Sequence, residues 1–285
     1  MIPIRIIRRR IRSIRSTAKI TKAMEMIAAS KMRQAQLRVI AARPYSEKMR
    51  EVLANLAAQT RTEGDSHPLL QHREVQHATV IHITSDRGLC GGLNANVNRR
   101  TASFILEQRT PVNLITVGRK GRDFMSRYDR NIRAEFTQLG DKPALVDTTP
   151  ISRVVIDDYA GRLTDEIYLA YTEFITTAIQ RPVFRKLLPI EPAKLRPAQS
   201  IDYIYEPSAS AVLGELLPRY VEMQVYQAIL ESIASEQSAR MVAMRNATDN
   251  ANEMIDDLTL TYNKARQELI TKELLDIAGG IVTPT

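Results

Sequence analysis

The chain has 285 residues, is 44% hydrophobic and carries a formal net charge of +8. It is long enough to bury one globular core with an extension, and its single cysteine, Cys90, excludes an internal disulfide framework and fits a reducing compartment. No apolar run approaches the roughly 20 residues needed to cross a bilayer, so membrane contact is expected only through a partner.

The positive charge belongs to one end. Residues 1 to 50 hold 14 Lys and Arg against two acids, Glu25 and Glu47, and the remaining 235 residues sum to −4. Arg5, Arg8, Arg9, Arg10, Arg12, Arg15, Lys19 and Lys22 form a stripe that calls for an anionic counterpart: nucleic acid, lipid headgroups or an acidic protein surface. The same segment carries apolar or small residues three and four apart: Ile4, Ile7, Ile11, Ile14, Ala18, Ala28, Met32, Ala35, Val39 and Ala42, then Met49, Leu53 and Leu56. Thr21, Glu25 and Ser46 interrupt this seam. A repeat of 3.5 residues is the pattern of a left-handed coiled coil. The predicted helix runs from Ile4 to about Ala58, roughly 80 Å at 1.5 Å per residue, with a kink or break at Pro44. The segment lacks the apolar core of a secretory signal peptide, and its register continues past any cleavage point a transit peptide would have.

After the turn cluster Gly64 to Pro68 the period changes. Thr79 to Thr84 reads as a buried strand followed by a Gly-rich turn and a helix through Phe104 and Ile105. Val112 to Val117 is a second strand, Gly118 to Tyr128 a helix, and Ile132 to Phe136 a third strand. A helix over Ile151 to Leu163 and strands over Glu166 to Phe174 and Phe184 to Ile190 complete the series. Strands alternating with helices predict a mainly parallel sheet covered on both faces.

The last helix starts between Ser208 and Leu213 and has no Gly or Pro from Arg219 to Ala278. Its seam runs Leu230, Ala234, Gln237, Met241, Met244, Thr248, Ala251, Ile255, Leu258, Tyr262, Ala265 and Leu269. Because the two seams flank a folded insert, they are expected to pack against each other antiparallel. The closing stretch, Leu269, Ile270, Leu274, Leu275, Ile277, Ile281 and Val282, is apolar around most of its circumference, which implies enclosure by another subunit.

Sites for chemistry are few. No G-x-x-x-x-G-K-[ST] loop occurs. The turn Ser85 to Asn94, leading from a strand into a helix, could offer backbone amides to an anion, but is better read as a tight turn using positive φ at a glycine. Cys90 reads as a small buried apolar residue. His67, His72, His77 and His82 lie five apart, a spacing that puts them on no common face, so no metal site is expected. Asp157 with Asp158 and Asp256 with Asp257 diverge on helices, and no enzyme constellation or cofactor site emerges.

Three blocks carry a family resemblance. They are Lys19 to Met26 with Ala28 to Met32; Ser85 to Gly92; and Ser235 to Met241 continuing through Tyr262 to Gln267 and Ile270 to Leu274. With them the chain resembles, over essentially its whole length, the gamma subunit of F-type ATP synthases. The resemblance implies a fold of class α/β plus coiled coil, a long antiparallel two-helix coiled coil with an inserted Rossmann-like α/β domain. The expected division is residues 1–60, the α/β domain at 74–206, and residues 208–285 pairing with 1–60. It implies a non-catalytic central-stalk rotor without cofactors, turning inside a hexamer of alternating alpha and beta subunits, with the epsilon subunit and a ring of c subunits at its foot.

The site residues implied by resemblance are beta-subunit contacts at Lys19, Lys22, Met24, Arg240, Arg266, Gln267, Thr271 and Glu273. A bearing tip is implied at Leu269, Leu274, Ile277 and Ile281, and c-ring contacts at Tyr203 and Glu206. The acidic loop of beta supplies the anionic partner that the charge stripe calls for. The expected location is peripheral, on the cytoplasmic face of a bacterial plasma membrane. The chain departs from the pattern in lacking the chloroplast type's regulatory cysteine pair, in its Arg-rich start, and in ending Gly279 to Thr285. Two rival readings are weaker. A nucleic-acid-binding coiled coil would place aromatic residues near the charge, and residues 1 to 44 contain no Phe, Tyr or Trp. A nucleotide-binding enzyme at Gly88 to Gly92 rests on fold analogy alone.

Overall fold

The computed structural model describes residues 3–60, 67–191, 206 and 208–280. The helices are α1 (Ile4–Thr60), α2 (Leu93–Glu107), α3 (Arg119–Arg127), α4 (Leu145–Ala160) and α5 (Ala209–Gly280). The strands are β1 (Ala78–Ile83), β2 (Val112–Val117), β3 (Ile132–Phe136), β4 (Glu166–Phe174) and β5 (Gln180–Leu188), with a 3-10 turn at Pro68–Leu70. Two compact units result, residues 1–28 with 241–285, and residues 29–240. Helices α1 and α5 contribute to both.

In the first unit α1 and α5 pair antiparallel, since partner numbers fall as α1 numbers rise: Arg8 with Tyr262, Thr21 with Thr248, Glu25 with Arg245. Ile7, Ala18 and Ala28 of α1 and Met244, Thr248 and Ala251 of α5 are buried. Thr21 and Glu25, expected to break the seam, instead lie buried in it. The Thr21 and Thr248 hydroxyls meet at 2.7 Å. One Glu25 oxygen accepts from Lys22 Nζ and the other from Arg245 Nε, both at 3.0 Å. An apolar pattern cannot register a polar layer whose complement lies more than 200 residues away. The hydrogen bonds from Lys22 and then Arg245 hold the Glu25 carboxyl below its ordinary range.

In the second unit the strand order is β3-β2-β1-β4-β5, parallel except for the antiparallel edge strand β5. The alternation of side chains along β1 divides the core. Ile81 and Ile83, with Ile115, Val117, Leu169 and Tyr171, meet Ile151, Val155 and Tyr159 of α4, Met49, Leu53 and Leu56 of α1, and Ile229 and Ile233 of α5. Val80 and Leu114 face the other way, under α2 and α3, where Phe104 lies 4.6 Å from Phe184 and 5.0 Å from Tyr168 between ring centroids. Three expectations are corrected. Helix α1 runs through Pro44 without a break, because a single lost donor is tolerated where the flanking turns are packed. Helix α4 begins at Leu145, before Pro150. Strand β5 begins at Gln180, because Pro182 sits in an edge strand where a missing N–H costs no ladder bond.

His82 is fully buried beneath α2. Its Nε2 is 2.8 Å from Asn98 Oδ1 and its Nδ1 3.1 Å from Thr101 Oγ1. An acceptor on one side and a hydroxyl on the other select the neutral tautomer protonated at Nε2. Burial pushes the imidazole down to about 4. The unfolded chain then binds the proton first, so this contribution to stability is complete above pH 6.5 and lost as pH falls toward 4, about 3 kcal/mol in all. His82→Gln is expected to flatten the fall in denaturation midpoint between pH 6.5 and 4.5. An unchanged slope would show that another group governs it.

Candidate functional site

The Gly-rich turn after β1 shows how the local sequence disposes of its polar groups. Leu89 and Gly91 take positive φ, of 62° and 58°, so the strained position falls on a leucine as well as on a glycine. Asp86 accepts from the backbone N–H of Arg119 at 3.0 Å and of Gln138 at 2.9 Å. The next amides of α3 are also occupied, Lys120 by the Ser85 carbonyl and Gly121 by Thr84 Oγ1. Gly118 has φ of 96°, and a Cβ there would lie 2.2 Å from the Thr84 carbonyl oxygen. Gly118 therefore serves close packing of α3 on β1. The helix start that could hold a phosphate already holds the carboxylate of Asp86.

At the carboxyl edge of the sheet, where doubly wound folds bind ligands, one stretch of α5 is seated. Ser235 Oγ donates to the Thr172 carbonyl at 3.0 Å, and Ser238 Oγ to the Thr177 carbonyl at 2.8 Å. Gln237 Nε2 donates to Asp141 Oδ1 at 3.0 Å, while Lys31 Nζ of α1 reaches Asp141 Oδ2 at 2.7 Å. Asp141 thus ties the loop after β3 to both long helices. Arg240 donates to Glu236 at 2.6 Å and to the Gly88 carbonyl at 3.2 Å. Burial pushes the Glu236 carboxyl up in spite of Arg240, and burial followed by Glu236 pushes the Cys90 thiol up. That fits Cys90 as a buried, unreactive residue. Between the strand ends and Ile229, Ser232, Ile233 and Glu236 about 40 Å³ remains. A nucleotide pocket needs several hundred.

The three sequence blocks therefore meet at one collar: Lys31 from the first, Gly88 from the second, Ser235 to Arg240 from the third. Sequence reasoning named Arg240 but passed over Lys31, Asp141, Ser235 and Ser238. Paired small polar residues on a helix face toward a sheet were the available signal.

The first unit presents a different kind of site. Residues 1–28 hold eight basic side chains against one acid, whereas residues 241–280 hold four against seven. A basic helix is thus laid on an acidic one. Arg5, Arg9, Arg10, Arg12, Arg15 and Lys19 are exposed and form no ion pair among the described residues. Lys22 is exposed but bonded to Glu25, and Met24 is partly exposed.

Beyond Ala265 every described α5 side chain through Ala278 is exposed. That includes Arg266, Gln267, Thr271 and Glu273, and the apolar Leu269, Ile270, Leu274, Leu275 and Ile277. Arg240 differs, its side chain being 11% exposed and committed within the chain. Glu206 is exposed. Tyr203 and Ile281 lie outside the described residues.

The family model described as ATP synthase matches residues 3–283. The ATP synthase gamma chain of Dehalococcoides mccartyi strain 195 is 62% identical over 280 residues, 98% of each chain. That of Chloroflexus aurantiacus strain J-10-fl is 50% identical over 283 residues, again 98% of each. Among solved structures, the central stalk and c-ring of the Tetrahymena thermophila mitochondrial ATP synthase contains a chain that is 28% identical. The match covers 80% of this chain and 99% of that one at a TM-score of 0.62. The rotor of the Euglena gracilis mitochondrial enzyme, 20% identical with a TM-score of 0.66 and 94% and 98% coverage, shares the fold.

The collar generates a direct expectation. Asp141→Ala strands Lys31 and Gln237 together and is expected to destabilise the chain by about 1–3 kcal/mol. In a double-mutant cycle, Asp141→Ala and Lys31→Ala should be non-additive by more than about 0.5 kcal/mol. Additive denaturation midpoints would remove Asp141 from its linking role.

Proposed function

Because the chain belongs to the ATP synthase gamma chain family, we propose that it is the central-stalk rotor of a bacterial F-type ATP synthase. In this reading it couples rotation of a membrane ring of c subunits to the cycling of three catalytic beta sites, and holds no catalytic site itself. Its partners are the alpha and beta subunits, the epsilon subunit and the c-ring. No helix among the described residues is long and apolar enough to cross a membrane. The chain accordingly joins the membrane-bound complex peripherally, through those partners, on its cytoplasmic face.

One observation carries the reading: the exposed end of α5. Five large apolar side chains, from Leu269 to Ile277, stand 43% to 66% exposed on one stretch of helix. A monomeric surface rarely leaves such a cluster uncovered. Leu269, Leu274 and Ile277, with Ile281, are assigned to the bearing at the top of the alpha–beta hexamer. Arg266, Gln267, Thr271 and Glu273 are assigned to contacts with beta, as are Lys19, Lys22 and Met24 on the basic helix. Arg240 is assigned a positioning role, since its guanidinium is spent on Glu236 and Gly88. Glu206, together with Tyr203, is assigned to the c-ring end.

Rotation changes catalytic sites only through contacts that differ between orientations. The charge difference between the paired helices supplies such contacts, because a beta subunit facing α1 meets cations and one facing α5 meets mainly acids. Co-expression with cognate alpha and beta subunits is expected to yield a particle of three alpha, three beta and one copy of this chain, with ATPase that depends on it. Failure to assemble, with the isolated chain binding DNA instead, would overturn the assignment. Within an assembled particle, Arg266→Leu or Gln267→Leu should slow ATPase several-fold while leaving assembly intact, whereas wild-type turnover would remove these residues from the contact set.

A further inference from the structure

On the face of the sheet away from α5, helices α2 and α3 leave an open groove of about 700 Å³. Its charge is one-sided. Arg99, Lys120, Arg127 and Arg130 line it, and none of the four forms an ion pair among the described residues. The single acid on the wall, Asp123, is already held by Arg122 at 2.8 Å. Several other surface cations of this unit, among them Arg119, Arg133, Arg181 and Arg185, have a carboxylate partner; the four along this groove are gathered together without one. Leu106 and Tyr128, at the ends of the two helices, are 71% and 62% exposed on its rim. Phe124 packs on Tyr128 with ring centroids 5.0 Å apart.

We propose that this groove is a docking site for an acidic amphipathic helix of a partner subunit. The walls have the complementary pattern: an apolar strip from Leu106 to Tyr128 for one face of such a helix, and cations for carboxylates three and four positions apart. The length of α3, nine residues, matches roughly two and a half turns of an occupant. A small phosphate ligand fits less well, because the α3 amides that would hold it are bonded to Asp86, Ser85 and Thr84. The inference rests on the assembly reading only for the source of the partner.

The test uses the assembled complex containing all cognate subunits. A Leu106→Cys chain is labelled with a benzophenone maleimide, Cys90 being buried, then assembled, irradiated and mapped by mass spectrometry. The expected product is a cross-link to a peptide of another subunit bearing Asp or Glu at helical spacing. Its yield should fall at least fivefold in an Arg99→Glu, Arg127→Glu background and at high salt. A particle that assembles but gives no cross-link overturns the groove as a docking site. So does a cross-link to lipid, nucleotide or a basic peptide, or one indifferent to charge reversal. Particle formation by the unlabelled chain is scored separately, so failure of the assembly reading is distinguished from failure of the groove.

Discussion

The larger unit depends on a few residues of α5 lying across the carboxyl edge of a parallel sheet. In an open doubly wound fold that edge is where loops diverge and a ligand enters. Here Ser235, Gln237, Ser238 and Arg240 accept or donate the hydrogen bonds that a ligand would otherwise satisfy. The buried polar groups make each loop's position specific, because an unpaired donor or acceptor at this depth costs about 1–3 kcal/mol. Apolar packing of Ile229 and Ile233 alone would hold the helix while allowing it to slide by a turn. The side-chain bonds to Thr172, Thr177, Asp141 and Gly88 fix which turn of α5 sits under which loop. The edge where such folds admit a small molecule here holds a helix.

The same trade recurs in the paired helices of the smaller unit. Thr21 with Thr248, and Glu25 with Lys22 and Arg245, replace apolar layers with polar ones. Such layers contribute less stability than leucines would, yet they specify register, since a shift of one turn breaks the Thr21–Thr248 contact and the Arg245–Glu25 bond and leaves each group only its bond within its own helix. Small residues at Ala18, Ala28 and Ala251 make room for the close approach that brings the two threonine hydroxyls within 2.7 Å.

These particulars explain what could be read from the residues. Ile7, Ala18, Ala28, Ala35 and Val39 recur on one face, and the spacing of apolar residues is set by the same geometry that buries them. The order of strands and helices was legible because Val80 to Ile83 and Leu114 to Val117 are mostly apolar runs, broken only by His82 and Thr116, of the kind a doubly covered parallel strand favours. The collar was not, because Lys31, Asp141 and Ser238 read individually as ordinary polar residues. Their meaning lies in contacts between segments 61 to 110 residues apart. The basic groove between α2 and α3 was hidden for a related reason: Arg99 and Arg127 are separated in sequence by a strand and a turn, and only the fold collects them. The family assignment itself came through the three blocks, whose composition is unusual even where its physical cause is unseen.

The exposed end of α5 and the basic stripe of α1 do different work in a rotor. On the proposed reading, apolar contact around most of the circumference of a helix end is nearly the same in every orientation, so it anchors the shaft and shifts no equilibrium between catalytic sites. Moving a site from one state to the other almost completely requires about 5.5 kcal/mol of differential contact. Solvent-exposed ion pairs supply roughly 0–1 kcal/mol each, so a stripe of exposed arginines would need nearly all of its pairs at once. Desolvated charge pairs at an interface reach several times that, and two or three of them suffice. On the proposed reading, the discriminating contacts are those where cations of α1 are stripped of water by a closing partner. The uniform stripe Arg5 to Lys19 carries no internal carboxylate to compete for them. Lys22, already bonded to Glu25, is the poorest of these donors.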